Sequence, residues 1–193
     1  MRMREYLEEA IDEFGEPITK TATSPAKRDL FVIDENSKEL SDGKGEIFHS
    51  VTAKLLYVSK RGRLDIQLAI SFLCTRVMVC TEHDWLKLKR VLEFLKGTLD
   101  NFLVLGADDH AGMITWVDAS DAVHKDMKSH TGGVVSFGTG AVMSKSSKQK
   151  LNTKSSTEAE LVGASKFLVL PHLGKEVPGG SGVHNHGELV HSR

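Results

Sequence analysis

Apolar positions recur at helical spacing in the first half of the chain and alternate in short runs in the second. Met3, Leu7, Ile11 and Phe14 share one face, and Gly15 with Pro17 stops the run, so a short amphipathic helix is expected at the start. Residues 18–46 are polar, interrupted by Leu30, Phe31, Val32 and Ile33, which predicts a surface linker with one apolar contact. From 47 to 99 the helical period returns three times. Val51, Leu55 and Val58 mark one helix, ended by the basic turn Lys60-Arg61-Gly62-Arg63. Ile66, Ile70, Leu73 and Val77 mark a second. Trp85, Leu88, Leu92, Leu95 and Leu99 mark a third, from near Thr81 to near Gly97. Short connections make these antiparallel neighbours in a small bundle, with Leu55, Ile70, Leu73, Trp85, Leu88, Leu92 and Leu95 in its core.

Beyond residue 100 the segments become short and β-leaning: 102–105 (FLVL), 113–118 (MITWVD), 133–137 (GVVSF) and 141–143 (AVM), punctuated by Gly132, Gly133, Gly138 and Gly140. A helix from Ser155 follows, with Leu161, Ala164 and Leu168 expected on its buried side. Strand, strand, strand, helix argues for an α+β unit after the bundle. Residues 171–193 are rich in Gly and His with no sustained period and read as a disordered or out-of-register tail, with His184, His186 and His191 as adventitious metal ligands at most. The pattern divides the chain at 1–46, 47–100, 101–170 and 171–193.

Charge adds a segregation that the net value of −1 hides. Residues 1–46 carry 7 Lys/Arg against 12 Asp/Glu, and residues 47–100 carry 9 against 5. Residues 143–155 hold Lys145, Lys148, Lys150 and Lys154 with no acid, and Lys87, Lys89 and Arg90 lie on the third helix, partly off its apolar stripe. Basic patches in a nearly neutral chain suit a polyanion, and solvated surface lysines are the plain alternative. Cys74 and Cys80 lack any metal-ligand spacing and read as reduced core residues of an intracellular protein. No apolar run reaches membrane-spanning length and no signal sequence is visible, so no membrane partner is expected.

The candidate chemistry sits in two acids. Ser155 to Glu158 has the form S-x-x-E, a capping box that accounts for Glu158. Glu160 is about 200° further round the helix and cannot share the cap. Asp118 ends the run ITWVD before the small residues Ala119 and Ser120. Oxygen ligands brought together from a strand end and a helix can hold Mg²⁺, and a pair of such ions activates water and stabilises the leaving oxygen of a phosphodiester. Gly138-Thr139-Gly140 followed by Lys145-Ser146 is a hairpin turn and not a phosphate loop, because Thr139 and Ser144 stand where glycines are required.

TWVDAS, SHTGGVVSFGTGAVMSKSSKQ and SSTEAELVGAS together resemble the ribonuclease H domain of copia-type LTR retrotransposon polyproteins. The stretch from IFHSVTAKLLYVSKRGRLDIQ to DWLKLKRVLEFLKGTLD looks like the thumb and connection that precede it, and MREYLEEAIDEFGEPITKTATSP resembles the end of the reverse transcriptase palm. The likeness covers residues 1–168. It implies a helical thumb-like bundle followed by a truncated ribonuclease H-like sheet of three antiparallel strands with a helix. It implies Mg²⁺-dependent hydrolysis of the RNA strand of RNA–DNA hybrids, with Asp118 as the first catalytic aspartate and Glu160 as the catalytic glutamate. Primer–template or hybrid, and the rest of the Pol polyprotein, are the implied partners, in cytoplasmic virus-like particles or the nucleus. The family pattern has a third aspartate on the strand after the helix and a fourth near the domain end, yet no aspartate follows Asp126 here. The polymerase aspartates belong upstream of residue 1. The expectation is therefore a polyprotein fragment inactive on its own, or a non-catalytic nucleic-acid-binding or interaction remnant.

Overall fold

A computed structural model describes residues 3–107, 113–173 and 189–190, and divides into two compact units, Met1–Leu103 and Val104–Arg193. The fold class is α+β: among the described residues there are five α-helices and a three-stranded antiparallel sheet extended by one short parallel strand.

The first unit is helical, with α1 Arg4–Glu13, α2 Asp42–Ser59, α3 Gln67–Cys74 and α4 Glu82–Gly97. All seven residues expected in the bundle core are buried, joined by Phe48, Ile66 and Phe72. Trp85 is 2% exposed and stacks on Phe14 with ring centroids 4.2 Å apart. Its indole Nε1 donates to Glu16 at 2.9 Å, so a buried polar atom is satisfied at the bundle's edge.

Three local readings change. Helix α2 begins at Asp42, inside the stretch read as linker. The second helix stops at Cys74, where the Thr75 hydroxyl donates to the Phe72 carbonyl, and a 3-10 turn, Val77–Val79, follows with Met78 90% exposed. There Arg76 turns away to Asp84, Nε to Oδ2 at 3.1 Å. Thr81 and Asp84 form a reciprocal capping box that starts α4 sharply. Finally, residues 18–41 do more than run over the surface. Ile18 and Leu30 are buried, Phe31 meets Phe72 edge-on, Ala22 N–H donates to the Glu93 carbonyl and Leu40 N–H to that of Cys80. Satisfying its backbone on neighbouring elements makes this polar stretch an ordered strap.

The second unit contains β1 Gly106–Ala107, β2 Ile114–Ser120, β3 His130–Ser136, β4 Gly138–Thr139, β5 Ala141–Lys148, α5 Ser156–Leu173 and β6 Leu189–Val190. Strands run in the order β5-β3-β2-β6, antiparallel except that β6 lies parallel to β2. Strands β1 and β4 form a separate two-stranded ribbon. The run FLVL forms no strand: Phe102, Val104 and Leu105 are exposed, and pairing begins only at Gly106. Strand β5 extends five residues past the expected AVM, because its ladder with β3 continues to His130↔Lys148 through Ser and Lys positions that carry no apolar signal.

Helix α5 packs on the sheet through Ala159, Gly163 and Phe167. The expected face was Leu161, Ala164 and Leu168, but Leu161 is 71% exposed, about 200° round from Ala159. A Cβ on Gly133 would lie 2.2 Å from Phe167 Cζ, and one on Gly163 3.0 Å from Thr131 Cγ2, so glycine at both positions sets how closely helix and sheet approach. The side chain of Leu168, and His184, His186 and His191, lie outside the described residues. No helix among the described residues is long and apolar enough to cross a membrane.

Two stability tests follow. Trp85→Ala should cost about 3–5 kcal/mol in urea unfolding, with Trp85→Phe losing much less because the stack on Phe14 survives; equal losses would put the weight on the indole N–H. Gly133→Ala should cost about 1–3 kcal/mol by overpacking against Phe167. The penalty should shrink in a Phe167→Leu background, and strictly additive losses would show that the ring and the glycine do not meet.

Candidate functional site

Strand β2 pairs with β3 so that Val117 lies opposite Gly133 and Asp118 opposite Gly132. Val117 points to α5, with its Cγ1 3.5 Å from a Cβ built on Gly163. Strand side chains alternate between faces, so Asp118 and Gly132 lie on the other side of the sheet. That side is open at this point: a Cβ on Gly132 would meet nothing within 4 Å, and Asp118 is exposed.

Helix α5 starts as the sequence predicts, with one difference in the cap. Glu158 N–H donates to Ser155 Oγ at 3.2 Å, while the Glu158 carboxylate accepts from the N–H of Lys154 at 2.7 Å, one residue beyond the cap residue. Glu158 is therefore committed to the helix end. Glu160 is partly exposed, one turn before Gly163 on the helix that lies over β2 and β3. Among the described residues, no hydrogen bond or ion pair joins Asp118 to Glu160, and no three His, Cys, Asp or Glu side chains gather into a metal-holding group. Helix and strand are neighbours, with Val117 turned to the helix and Asp118 next to it in β2. This donor set does not frame two Mg²⁺ ions, which need further carboxylates.

The basic positions divide into free and engaged. Lys145 on β5 is exposed, as are Lys150 and Lys154 just beyond it. Lys148 is half-buried and pairs with Asp126 at 2.7 Å, which holds that carboxyl below its ordinary range. In the first unit, Lys89 Nζ pairs with Glu16 at 2.9 Å and Arg90 Nη2 donates to Ser24 Oγ at 3.2 Å. Lys87 Nζ donates to the Val32 carbonyl at 2.5 Å and sits 4.8 Å from the centroid of the Phe72 ring. Burial lowers the Lys87 pKa. Lys87 and Arg90 fasten the strap to α4 and Lys89 fastens the end of α1 to it, so all three are engaged.

Loop 121–129, between β2 and β3, is more organised than its composition suggests. Ser129 Oγ donates to Asp121 Oδ1 at 2.9 Å and lies 2.8 Å from Thr153 Oγ1, and Gln149 N–H donates to the Ser129 carbonyl. His124 Nε2 lies 3.0 Å from His130 Nδ1, and His130 Nε2 lies 2.7 Å from Ser146 Oγ. Burial lowers the His124 pKa, with Lys148 acting the same way and Asp126 opposing. Sequence reading passed over this network. Its one visible signal is a pair of histidines six apart across a turn between strands.

Over 171 residues, 86% of its length, the chain is 26% identical to the Retrovirus-related Pol polyprotein from transposon TNT 1-94 of Nicotiana tabacum. Over 171 residues it is also 26% identical to the Putative transposon Ty5-1 protein of Saccharomyces cerevisiae. The chain spans 13% of the first protein. It spans 55% of the second. No family model and no solved structure matches it. The chain is thus similar, along most of its length, to retrotransposon Pol sequences.

Proposed function

We propose that the chain is a segment of a copia-type retrotransposon Pol polyprotein. Residues 1–46 correspond to the end of the reverse transcriptase palm and a linker, 47–100 to the thumb and connection, and 101–170 to the front of a ribonuclease H-like domain. The observation that carries this reading is the order of the second unit: strands β2, β3 and β5 in an antiparallel meander, then α5, with an aspartate on the first strand and a glutamate in the first turns of the helix. The similarity to transposon proteins along most of the chain supports it. In the complete polyprotein the activity would be RNA-directed DNA synthesis and hydrolysis of RNA in RNA–DNA hybrids.

For this chain the role we propose is holding nucleic acid without cutting it. Lys145 on the edge strand β5, and Lys150 and Lys154 in the turn that follows it, are exposed cations suited to the phosphates of a hybrid or primer–template, with Lys148 able to join them on leaving Asp126. Such contacts are electrostatic and independent of sequence. Mg²⁺ would supply water activation where a full carboxylate set surrounds it. Here Asp118 and Glu160 would at most anchor one ion, so no hydrolytic step is assigned to them.

Binding to a hybrid duplex should weaken with salt, each lysine–phosphate contact adding about 0.9 to the slope of log affinity against log salt. Alanine at positions 145, 148, 150 and 154 together should flatten that slope; a slope unaffected by the four substitutions would remove the lysines from the interface. On a labelled RNA–DNA hybrid in Mg²⁺ or Mn²⁺, the chain should give no more cleavage than its Asp118→Asn variant. Cleavage that disappears in the variant would overturn the non-cutting role while leaving the Pol assignment standing.

A further inference from the structure

The two imidazoles of His124 and His130 are buried, 5% and 4% exposed, and face each other nitrogen to nitrogen. From this geometry we infer that they form a proton-operated latch, closed at neutral pH, whose opening in mild acid frees loop 121–129 from the start of β3.

Each neutral ring carries one proton, so a closed neutral pair has a single proton between His124 Nε2 and His130 Nδ1, 3.0 Å apart. The second ring continues the line to Ser146 Oγ on β5. With one added proton the line still works, since one ring nitrogen donates and the other accepts. With two, an N–H points at an N–H and the rings must part. The closed form therefore holds at most one extra proton, and the open form takes two.

The surroundings disfavour even the first. Lys148 approaches from β5, and from the loop come Asp126 and Lys128, which pair with each other at 3.4 Å while Asp126 also pairs with Lys148. Helix α5 lies on the opposite face of the sheet. Burial and Lys148 outweigh Asp126, and the His124 pKa falls below its ordinary 6.5. The sign follows from linkage. Well above 6.5 neither form binds extra protons and the latch stays shut. As pH falls through 6.5, the open form binds more protons, and opening grows about tenfold per pH unit for each proton of difference, hence about ten- to a hundredfold.

The loop needs the latch because its backbone is held in unfavourable conformations. Ala122 and Met127 have φ of 50° and 57°, left-handed values that non-glycine residues adopt only when neighbouring contacts impose them. The Ala122 N–H donates to Ser129 Oγ at 3.2 Å, while the Met127 N–H donates to the His124 carbonyl and the His124 N–H to that of Lys128, so the Met127 side of the loop hinges on the residue that the latch holds.

Amide hydrogen exchange on the whole chain between pH 7.5 and 5.5 tests this. Intrinsic exchange slows about tenfold for each unit of acidification, and amides of the β2–β3 ladder should follow that slope. The amides of His124, Met127 and Gln149 should slow far less, or quicken, as latch opening offsets the chemistry. In His124→Gln the three amides should regain the full slope. Loop amides of the unsubstituted chain that slow in step with β2 and β3 would overturn the latch. That comparison needs no variant and holds even if the substitution unfolds the unit.

Discussion

Helix α5 rests on its sheet at a separation that two glycines allow. The Phe167 ring occupies the space where Gly133 lacks a side chain, and Gly163 lets the helix backbone come down against Thr131 and Val117. Once that contact is made, the rest of the second unit is determined. Val117 and Val135 are covered, and the alternation of β2 sends Asp118 to the uncovered face. Gln149 seals the same end, its amide donating to Thr131 Oγ1 at 2.8 Å and to the Ala159 carbonyl at 2.9 Å. The geometry of the candidate acids is thus a by-product of packing, and neither acid takes part in it.

The first unit is organised around Trp85 in a different way. Its ring is stacked on Phe14 and approached by Lys44, 4.9 Å from the centroid, while its N–H reaches Glu16. Glu16 also receives Lys89, and that hydrogen bond is the main reason its pKa falls below the ordinary carboxylate value. A single carboxylate thus satisfies the indole and joins the end of α1 to α4. The partner of Glu13, Lys54, does the same between α1 and α2 at 2.6 Å. Such half-exposed pairs contribute little individually, and their role is to fix which helix lies against which.

The helical core was legible because a 3.6-residue period survives any detail of packing: Leu55, Ile70, Leu88 and Leu92 fall where the spacing puts them. The misreadings share a cause. The order of residues 18–41, the length of β5 and the true face of α5 are all decided by partners distant in sequence. Ser-Lys alternation in β5 carries no apolar signal, yet the ladder to β3 runs its full length. Leu161 looked like core because it is apolar, whereas the helix chose the side bearing Gly163. The acid at 118 was visible as a residue, but the face it takes was not, since that depends on which side of the sheet a helix covers. The His124–His130 contact, too, exists only after the turn between β2 and β3 has folded.

The strap over α4 changes how its basic face should be understood. Lys87, Lys89 and Arg90 look, by composition, like a surface free to vary or to be shaped by a polyanion. Each is instead one half of a joint whose other half lies at Val32, Glu16 or Ser24. Only the Glu16 joint is charge against charge, so a change of sign at Lys89 would need a matching change at position 16. The Val32 partner is a backbone carbonyl, which no substitution alters, so the donor at position 87 has no compensating exchange available to it. Drift along this helix face is therefore coupled at one position, nearly frozen at another, and loosest at Arg90, where the partner to be matched is a small hydroxyl.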